Sequence, residues 1–140
     1  MPHIAAEAIP LNLAKPSAPL MVTCLENVDL TPDSPHDNRH IVLDLGDSGF
    51  RYLEGQSVGV VPPGLDKNGK PHRLRLYSIA SSRYGDDGEG KTISLLVKRT
   101  VYTDADSGEE VQGVASSYLC DLKPGDRVPL IGPVGKHFLL

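Results

Sequence analysis

The run Arg75-Leu76-Tyr77-Ser78 places a guanidinium, an aromatic ring and a hydroxyl within a few positions of one another. It lies near the end of the strand-like stretch His72-Arg73-Leu74-Arg75-Leu76-Tyr77-Ser78-Ile79-Ala80. Side chains of a strand alternate between faces, so Arg75 and Tyr77 are expected on one face and Leu76 on the other, toward a core. A planar, permanently charged fork suits a phosphate or pyrophosphate, and a tyrosine ring suits a flat heterocycle. A dinucleotide offers both. Taken singly, each residue has a plainer reading: Arg75 in a surface ion pair, Tyr77 as a half-buried sheet residue, Ser78 at a turn or sheet edge. Arg73 is a second candidate for the anion.

The elements that would carry this run are short strands. Met21–Leu25 and His40–Leu45 flank a loop rich in Pro, Asp and Asn, and Ser57–Val61 ends in Pro62-Pro63. Arg73–Ile79, Thr92–Thr100 and Arg127–Ile131 complete the set. Short strands divided by turn clusters predict a mainly β antiparallel barrel or sandwich. One helix is expected over Val114–Leu122, with Val114, Tyr118 and Leu122 on one stripe and Leu119 close by. Ser116 or Ser117 would cap its start, and Lys123-Pro124-Gly125 would end it. Residues 1–18, rich in Ala and Pro, read as a mobile arm or linker.

The 140 residues suit one domain with its own core, and 39% hydrophobic and 23% charged residues are ordinary for a globular chain. The net charge of -4 and 5% aromatic content argue against a nucleic-acid partner. No apolar stretch is long enough to cross a bilayer, and no basic-then-apolar leader is visible, which predicts a cytoplasmic or stromal setting without membrane insertion. Cys24 and Cys120 have no metal-ligand spacing and are expected as free thiols, so neither an iron–sulfur cluster nor a structural zinc is expected.

Further blocks accompany the central run. Glu54-Gly55-Gln56-Ser57-Val58-Gly59-Val60-Val61-Pro62-Pro63-Gly64 precedes it, and Ser94-Leu95-Leu96-Val97-Lys98-Arg99-Thr100-Val101-Tyr102 follows. Then come Gly113-Val114-Ala115-Ser116-Ser117-Tyr118-Leu119-Cys120-Asp121-Leu122-Lys123-Pro124-Gly125 and Gly132-Pro133-Val134-Gly135-Lys136. In this order, from about Pro19 onward, they resemble the FAD-binding domain of plant-type ferredoxin–NADP reductases. The resemblance implies a six-stranded antiparallel Greek-key β-barrel with one capping α-helix over residues 19–140. It also implies that the C-terminal NADP-binding domain of such enzymes is not in this chain, which holds no Gly-rich strand-to-helix turn.

Site roles follow from the same resemblance. Arg75 would contact the FAD pyrophosphate, with Leu76 beside it, while Tyr77 would lie against the isoalloxazine and Ser78 would hydrogen-bond near N5. Leu96, Val97 and Lys98 match a Cys-Val-Lys or Cys-Val-Arg triplet whose backbone faces the flavin, Leu96 departing from the usual cysteine. Lys98 matches a basic residue associated with the nicotinamide nucleotide or the protein partner, and Tyr102 the ring on which the adenine stacks. Val114, Ala115 and Ser116 open the helix, where unpaired amides and the helix dipole favour phosphate; Ala115 again replaces a cysteine.

The implied function is electron transfer between NADP(H) and ferredoxin or flavodoxin through FAD, an activity that this fragment alone is not expected to sustain with NADPH. A first alternative is the flavin domain of a multicomponent oxygenase reductase, serving an iron–sulfur oxygenase component. A second is a non-enzymatic Greek-key binding module. Other motifs carry less. Gly46-Asp47-Ser48-Gly49, which resembles a serine-protease nucleophile segment, reads as a hairpin turn without triad context. Asp104-Ala105-Asp106-Ser107-Gly108 lacks the spacing of a calcium loop, and His3, His36, His40, His72 and His137 are scattered.

Overall fold

The computed structural model describes residues 11–135, apart from Lys67, Asp86, Asp87 and Asp104. The expectations for residues 1–10 and for Lys136 to Leu140 fall outside the described residues. Strands β1 (Leu20–Asp29), β2 (Asn38–Asp44), β3 (Ser57–Val60), β4 (Arg75–Ser78) and β5 (Thr92–Lys98) are followed by a hairpin, β6 (Val101–Thr103) and β7 (Glu110–Gln112). Helix α1 (Val114–Cys120) and strand β8 (Arg127–Val134) complete the chain.

Six strands form one antiparallel sheet in the order β4-β3-β8-β1-β2-β5. Its two edges meet at a single bridge, Ile79↔Leu95, reinforced where the Ala80 amide donates to the Ser94 carbonyl at 2.8 Å. The sheet is thus the expected Greek-key barrel, incompletely closed. Period-2 patterning fills its interior: Ile93, Leu95 and Val97 of β5 meet Ile41 and Leu43 of β2, Val22 and Cys24 of β1, and Val58 and Val60 of β3. A bulge between Cys24 and Glu26 shifts the parity of β1, which turns Asn27 toward the helix at the end of the barrel.

Helix α1 packs against β2 and β5. Its buried stripe is Ala115, Ser116, Leu119 and Cys120 rather than the Val114–Tyr118–Leu122 stripe expected from the sequence; Val114 is exposed. Leu122 is buried, but beyond the end of the helix. The cap also differs. Gly113 is the N-cap without a side-chain bond, and the Ser116 hydroxyl instead accepts the Thr100 amide at 2.9 Å. At the other end, the Asn27 amide donates to the carbonyls of Cys120 at 3.0 Å and Leu122 at 2.8 Å, with a longer contact to Leu119 at 3.4 Å. A helix this short is marginal by itself. It persists because groups from the barrel satisfy its ends.

Three other expectations change. Residues 12–14, read as part of a loose arm, are bound to β8: Ala14 and Gly132 exchange both backbone hydrogen bonds at 2.9 Å, and Asn12 donates to Pro133. The Gly46–Gly49 turn does not close a hairpin, because β2 and β3 lie apart in the sheet order. After it the chain runs inward to bury Phe50 and Tyr52, whose hydroxyl meets Ser81 Oγ, the Ser82 carbonyl and the Thr92 carbonyl within 2.9 Å. Finally, the segment after Lys98 leaves the barrel as the β6–β7 hairpin, which the unbroken strand expected to Thr100 did not foresee.

Replacing Asn27 by Ala is expected to strand the last carbonyls of α1 and cost about 1–3 kcal/mol, read as a lower urea midpoint with an unchanged slope; an unchanged midpoint would show that water satisfies these groups equally well. A second expectation concerns acid. Glu54 accepts from the Arg83 side chain and backbone, at 2.7 Å and 2.6 Å, and these bonds lower its pKa from 4.5 to about 2. A depressed carboxylate stabilises the fold above its unfolded pKa and loses that contribution as pH falls toward the folded value. The stability difference between the native chain and Glu54→Gln should therefore be constant above about pH 5 and vanish between pH 4.5 and 2. Because both side chains are substantially exposed, its size should stay near ~1 kcal/mol or below. A difference that survives at the acid end would contradict the assignment.

Candidate functional site

Parity on β4 is set by Ile79, which is buried and bridges to Leu95. Tyr77 shares that inward face and packs, half-buried, against the core cluster. Leu76 therefore points outward and is 57% exposed, which corrects the expectation that it faces the core. Arg75 and Tyr77 do share a face, as expected, but Arg75, the first residue of β4, is exposed and its guanidinium faces solvent. Its Nη1 donates to the Arg73 carbonyl at 2.8 Å, leaving most of the fork's donors outward. Arg73 is exposed too, and its carbonyl thus serves to orient Arg75.

Strand β5 shows where the closure fails. Thr92 and Ser94, on its outward face, are buried, because the Tyr52 hydroxyl and Ser81 cover them; the Ser81 hydroxyl accepts the Ser94 amide at 3.0 Å. Two residues further along the same face, Leu96 is 59% exposed and Lys98 follows it into solvent. Val97 remains inward and buried. Beyond the Ile79–Leu95 bridge, β4 and β5 thus have edges that no neighbouring strand covers, with Ser78, Tyr77 and Arg75 on one and Leu96, Val97 and Lys98 on the other. Edge strands present backbone donors and acceptors to whatever enters the gap.

The helix closes the lower end of this region. The Cys120 thiol lies 3.9 Å from the Val97 carbonyl, and burial, with Asp37 adding to it, raises its pKa to about 11. Burial likewise raises the phenol of Tyr77, with Arg75 acting against the shift and Cys120 adding to it, so the ring, helix and arginine share one electrostatic environment. Both cysteines are free, as expected; both are also buried, and their raised thiol pKa values make them poor nucleophiles. Ala115 and Ser116 are buried, while Val114 is 45% exposed at the opening. The first helical bond runs from the Ser117 amide to the Gly113 carbonyl, so the amides of Val114, Ala115 and Ser116 have no acceptor within the helix.

Tyr102 stands apart from these groups. It lies on the β6–β7 hairpin, opposite Val111, and is 52% exposed. The hairpin joins the barrel at its root, where the Gly113 amide donates to the Thr100 carbonyl at 2.7 Å. The structure therefore gathers Arg75–Ser78, Leu96–Lys98 and the start of α1 around the open edge and carries Tyr102 outward on a separate support. Two clefts of about 340 Å³ flank Lys98, one toward Leu30 and Arg39, the other toward His36 and Arg99. Among the described residues, no group of three or more His, Cys, Asp or Glu side chains is arranged to hold a metal, and no helix is long and apolar enough to cross a membrane.

What sequence reading missed is the support. Gln56 is fully buried, its Oε1 accepting the Leu53 amide at 2.7 Å and its Nε2 donating to Gly135. Arg99 reaches Asp37 at 3.0 Å and Asp121 at 2.7 Å. Gly135 lies 79 residues from Gln56, and Asp37 and Asp121 lie 62 and 22 residues from Arg99, so only folding brings these partners together. The Glu54-Gly55-Gln56 block was visible as a motif, but nothing in it marked Gln56 as a buried tie.

The exposed apolar side chains of Leu76 and Leu96 on the two strand edges and of Val114 at the start of α1, together with an outward-facing guanidinium and the separately carried Tyr102 ring, suit a ligand with flat rings and an anionic linker. Comparison with known proteins agrees. Residues 32–138 match the oxidoreductase FAD-binding domain family. The chain is 55% identical over 135 residues to the chloroplastic leaf isozyme 1 of ferredoxin–NADP reductase from Arabidopsis thaliana, which covers 96% of this chain and 37% of that protein. It is 49% identical over 141 residues to the ferredoxin–NADP reductase of a Picosynechococcus strain, covering 99% of this chain and 35% of that one. Among solved structures, the ferredoxin–NADP+ reductase of Plasmodium falciparum superposes with a TM-score of 0.72 at 27% identity, over 94% of this chain and 45% of that one. The chain thus spans about a third of the length of these curated relatives. On its fold and on the family match, it belongs to the oxidoreductase FAD-binding domains.

Proposed function

We propose that this chain holds the FAD of a ferredoxin–NADP reductase, an enzyme that passes electrons between NADP(H) and ferredoxin. The observation that carries the reading is the coincidence of the open β4–β5 edge, with its exposed Leu76 and Leu96, with the family match over residues 32–138. The names of the relatives support the same reading over an oxygenase reductase or a binding module without a cofactor.

The residues divide the work. Arg75 supplies a fork of donors for the pyrophosphate. Tyr77, fixed by its packing on the core, offers one ring face against the isoalloxazine. Ser78, on the outward face of β4, presents a hydroxyl toward N5, and the backbone from Leu96 to Lys98 presents groups to the ring's edge. The free amides of Val114, Ala115 and Ser116 add donors for phosphate, and Tyr102 stacks the adenine. Bound there, FAD supplies the conversion between hydride and single-electron transfer, and the protein supplies orientation and exclusion of water. Lys98 would serve the nicotinamide nucleotide or the protein partner, and NADP(H) would be bound by a separate domain of the intact enzyme. Such an enzyme would act in the cytoplasm or in an organelle stroma.

Titration of the chain with FAD, followed by quenching of flavin fluorescence and by a shifted, structured visible band, tests this. Quenching with a one-to-one endpoint is expected. Loss of charge-assisted hydrogen bonds in Arg75→Ala should weaken binding by about ten- to hundredfold. Loss of ring stacking in Tyr102→Ala should cost about two- to tenfold. No quenching by the folded native chain would overturn the reading. Salt-sensitive binding of an oligonucleotide in its place would favour the module without a cofactor.

A further inference from the structure

We propose that Arg99, with Asp37 and Asp121, is a positioning clamp that fixes the corner between β5 and β6, and with it the span between the flavin side of the site and Tyr102. The inference rests on the flavin reading above. Arg99 sits between Lys98, the last residue of β5, and Thr100, which leads into β6. Its side chain is only 16% exposed and reaches two carboxylates from different parts of the fold. Asp37, in the loop before β2, meets Nε at 3.0 Å, and Asp121, the C-cap of α1, meets Nη2 at 2.7 Å. The Arg99 amide also donates to the Asp37 carbonyl at 2.9 Å. Asp37 is itself held by Arg39 at 2.7 Å, so the anchor is stiff.

The adjoining residue is bound just as closely. Both backbone polar groups of Thr100 are used on the start of α1: its amide on Ser116 Oγ at 2.9 Å and its carbonyl on the Gly113 amide at 2.7 Å. The corner is closely packed, since a Cβ on Gly113 would stand 3.0 Å from Ser116 Oγ and 3.1 Å from Thr100 Cβ. Val101 and Gln112, the first pair of the hairpin, grow directly from this Thr100–Gly113 tie.

An ordinary surface ion pair contributes little. Here the consequence is geometric. Val101, Tyr102 and Thr103 are all exposed, so packing of β6 on the barrel does not aim the hairpin. A two-stranded ribbon is marginal without such packing, and its direction must be set at its root. A planar fork between Asp37, itself held by Arg39, and the C-cap carboxylate of α1 sets it. Arg99 thus acts on the ligand through Tyr102, without touching it.

The experiment is a double-mutant cycle on FAD affinity, read by fluorescence quenching of the full chain. Arg99→Gln and, independently, the mild Asp121→Asn are each expected to weaken FAD by about threefold or more, and Arg99→Gln should cost less than about twofold in a Tyr102→Ala background, because residues acting through one contact are not additive. Glu54→Gln, which breaks an ion pair outside this corner, should leave FAD affinity unchanged. Native-like affinity in both clamp variants, a fully additive loss on Tyr102→Ala, or an equal loss in Glu54→Gln would each overturn the clamp while leaving the flavin reading intact. A native chain that does not bind FAD would overturn both.

Discussion

Strands β4 and β5 meet at one pair of residues, Ile79 and Leu95, and the remaining architecture can be understood from that contact. A sheet of six strands gains from closing on itself, because closure removes its exposed edges. Here the loop holding Ser81 and Ser82 lies over the first half of β5 and covers it, while the second half is left open. The result is a barrel whose interior is filled by aliphatic side chains yet whose rim keeps two edges free. A fully closed sheet would be better satisfied by itself and would offer a flat ligand nothing.

An open edge needs support from elsewhere, and α1 is the brace. The helix has no side-chain N-cap, no acidic residue in its first turn and no basic residue in its last. Its place is decided by the barrel: Thr100 binds its first turn, Asn27 its last carbonyls, and Arg99 its C-cap residue. The same bonds that stabilise the helix also hold the root of the β6–β7 hairpin. Stability and the placement of the proposed cofactor contacts are therefore hard to separate at this corner. By contrast, Tyr52 with its three hydroxyl contacts and the Glu54–Arg83 pair secure the opposite, covered part of β5.

Much of the proposed site is legible as motifs, because its candidate residues are contiguous. Arg75-Leu76-Tyr77-Ser78, Leu96-Val97-Lys98 and Val114-Ala115-Ser116 each fall on one short element, and alternation along a strand is a local property. Which face is inside is not local. Leu76 was misassigned since the parity of β4 is fixed at Ile79 by a bridge to a strand some sixteen residues on, a pairing that no pattern within the run reveals. The helix failed in the same way: 3.6-residue periodicity found the segment, but the stripe it buries depends on the curvature of the barrel beneath it.

By itself, the sequence determined the element types, the mainly β class, the free cysteines and the identity of the candidate site residues, all of which follow from short-range propensity, turn chemistry and motif order. Tertiary structure alone decided where the barrel stays open, that residues 12–14 are stitched to β8, and that the hairpin leaves the sheet after Lys98. It alone also joined Asp37, Arg99 and Asp121. The physical reason is common to all of these: each depends on hydrogen bonds or ion pairs between residues on different elements, whose partners are set by sheet order and register rather than by immediate neighbours in the chain.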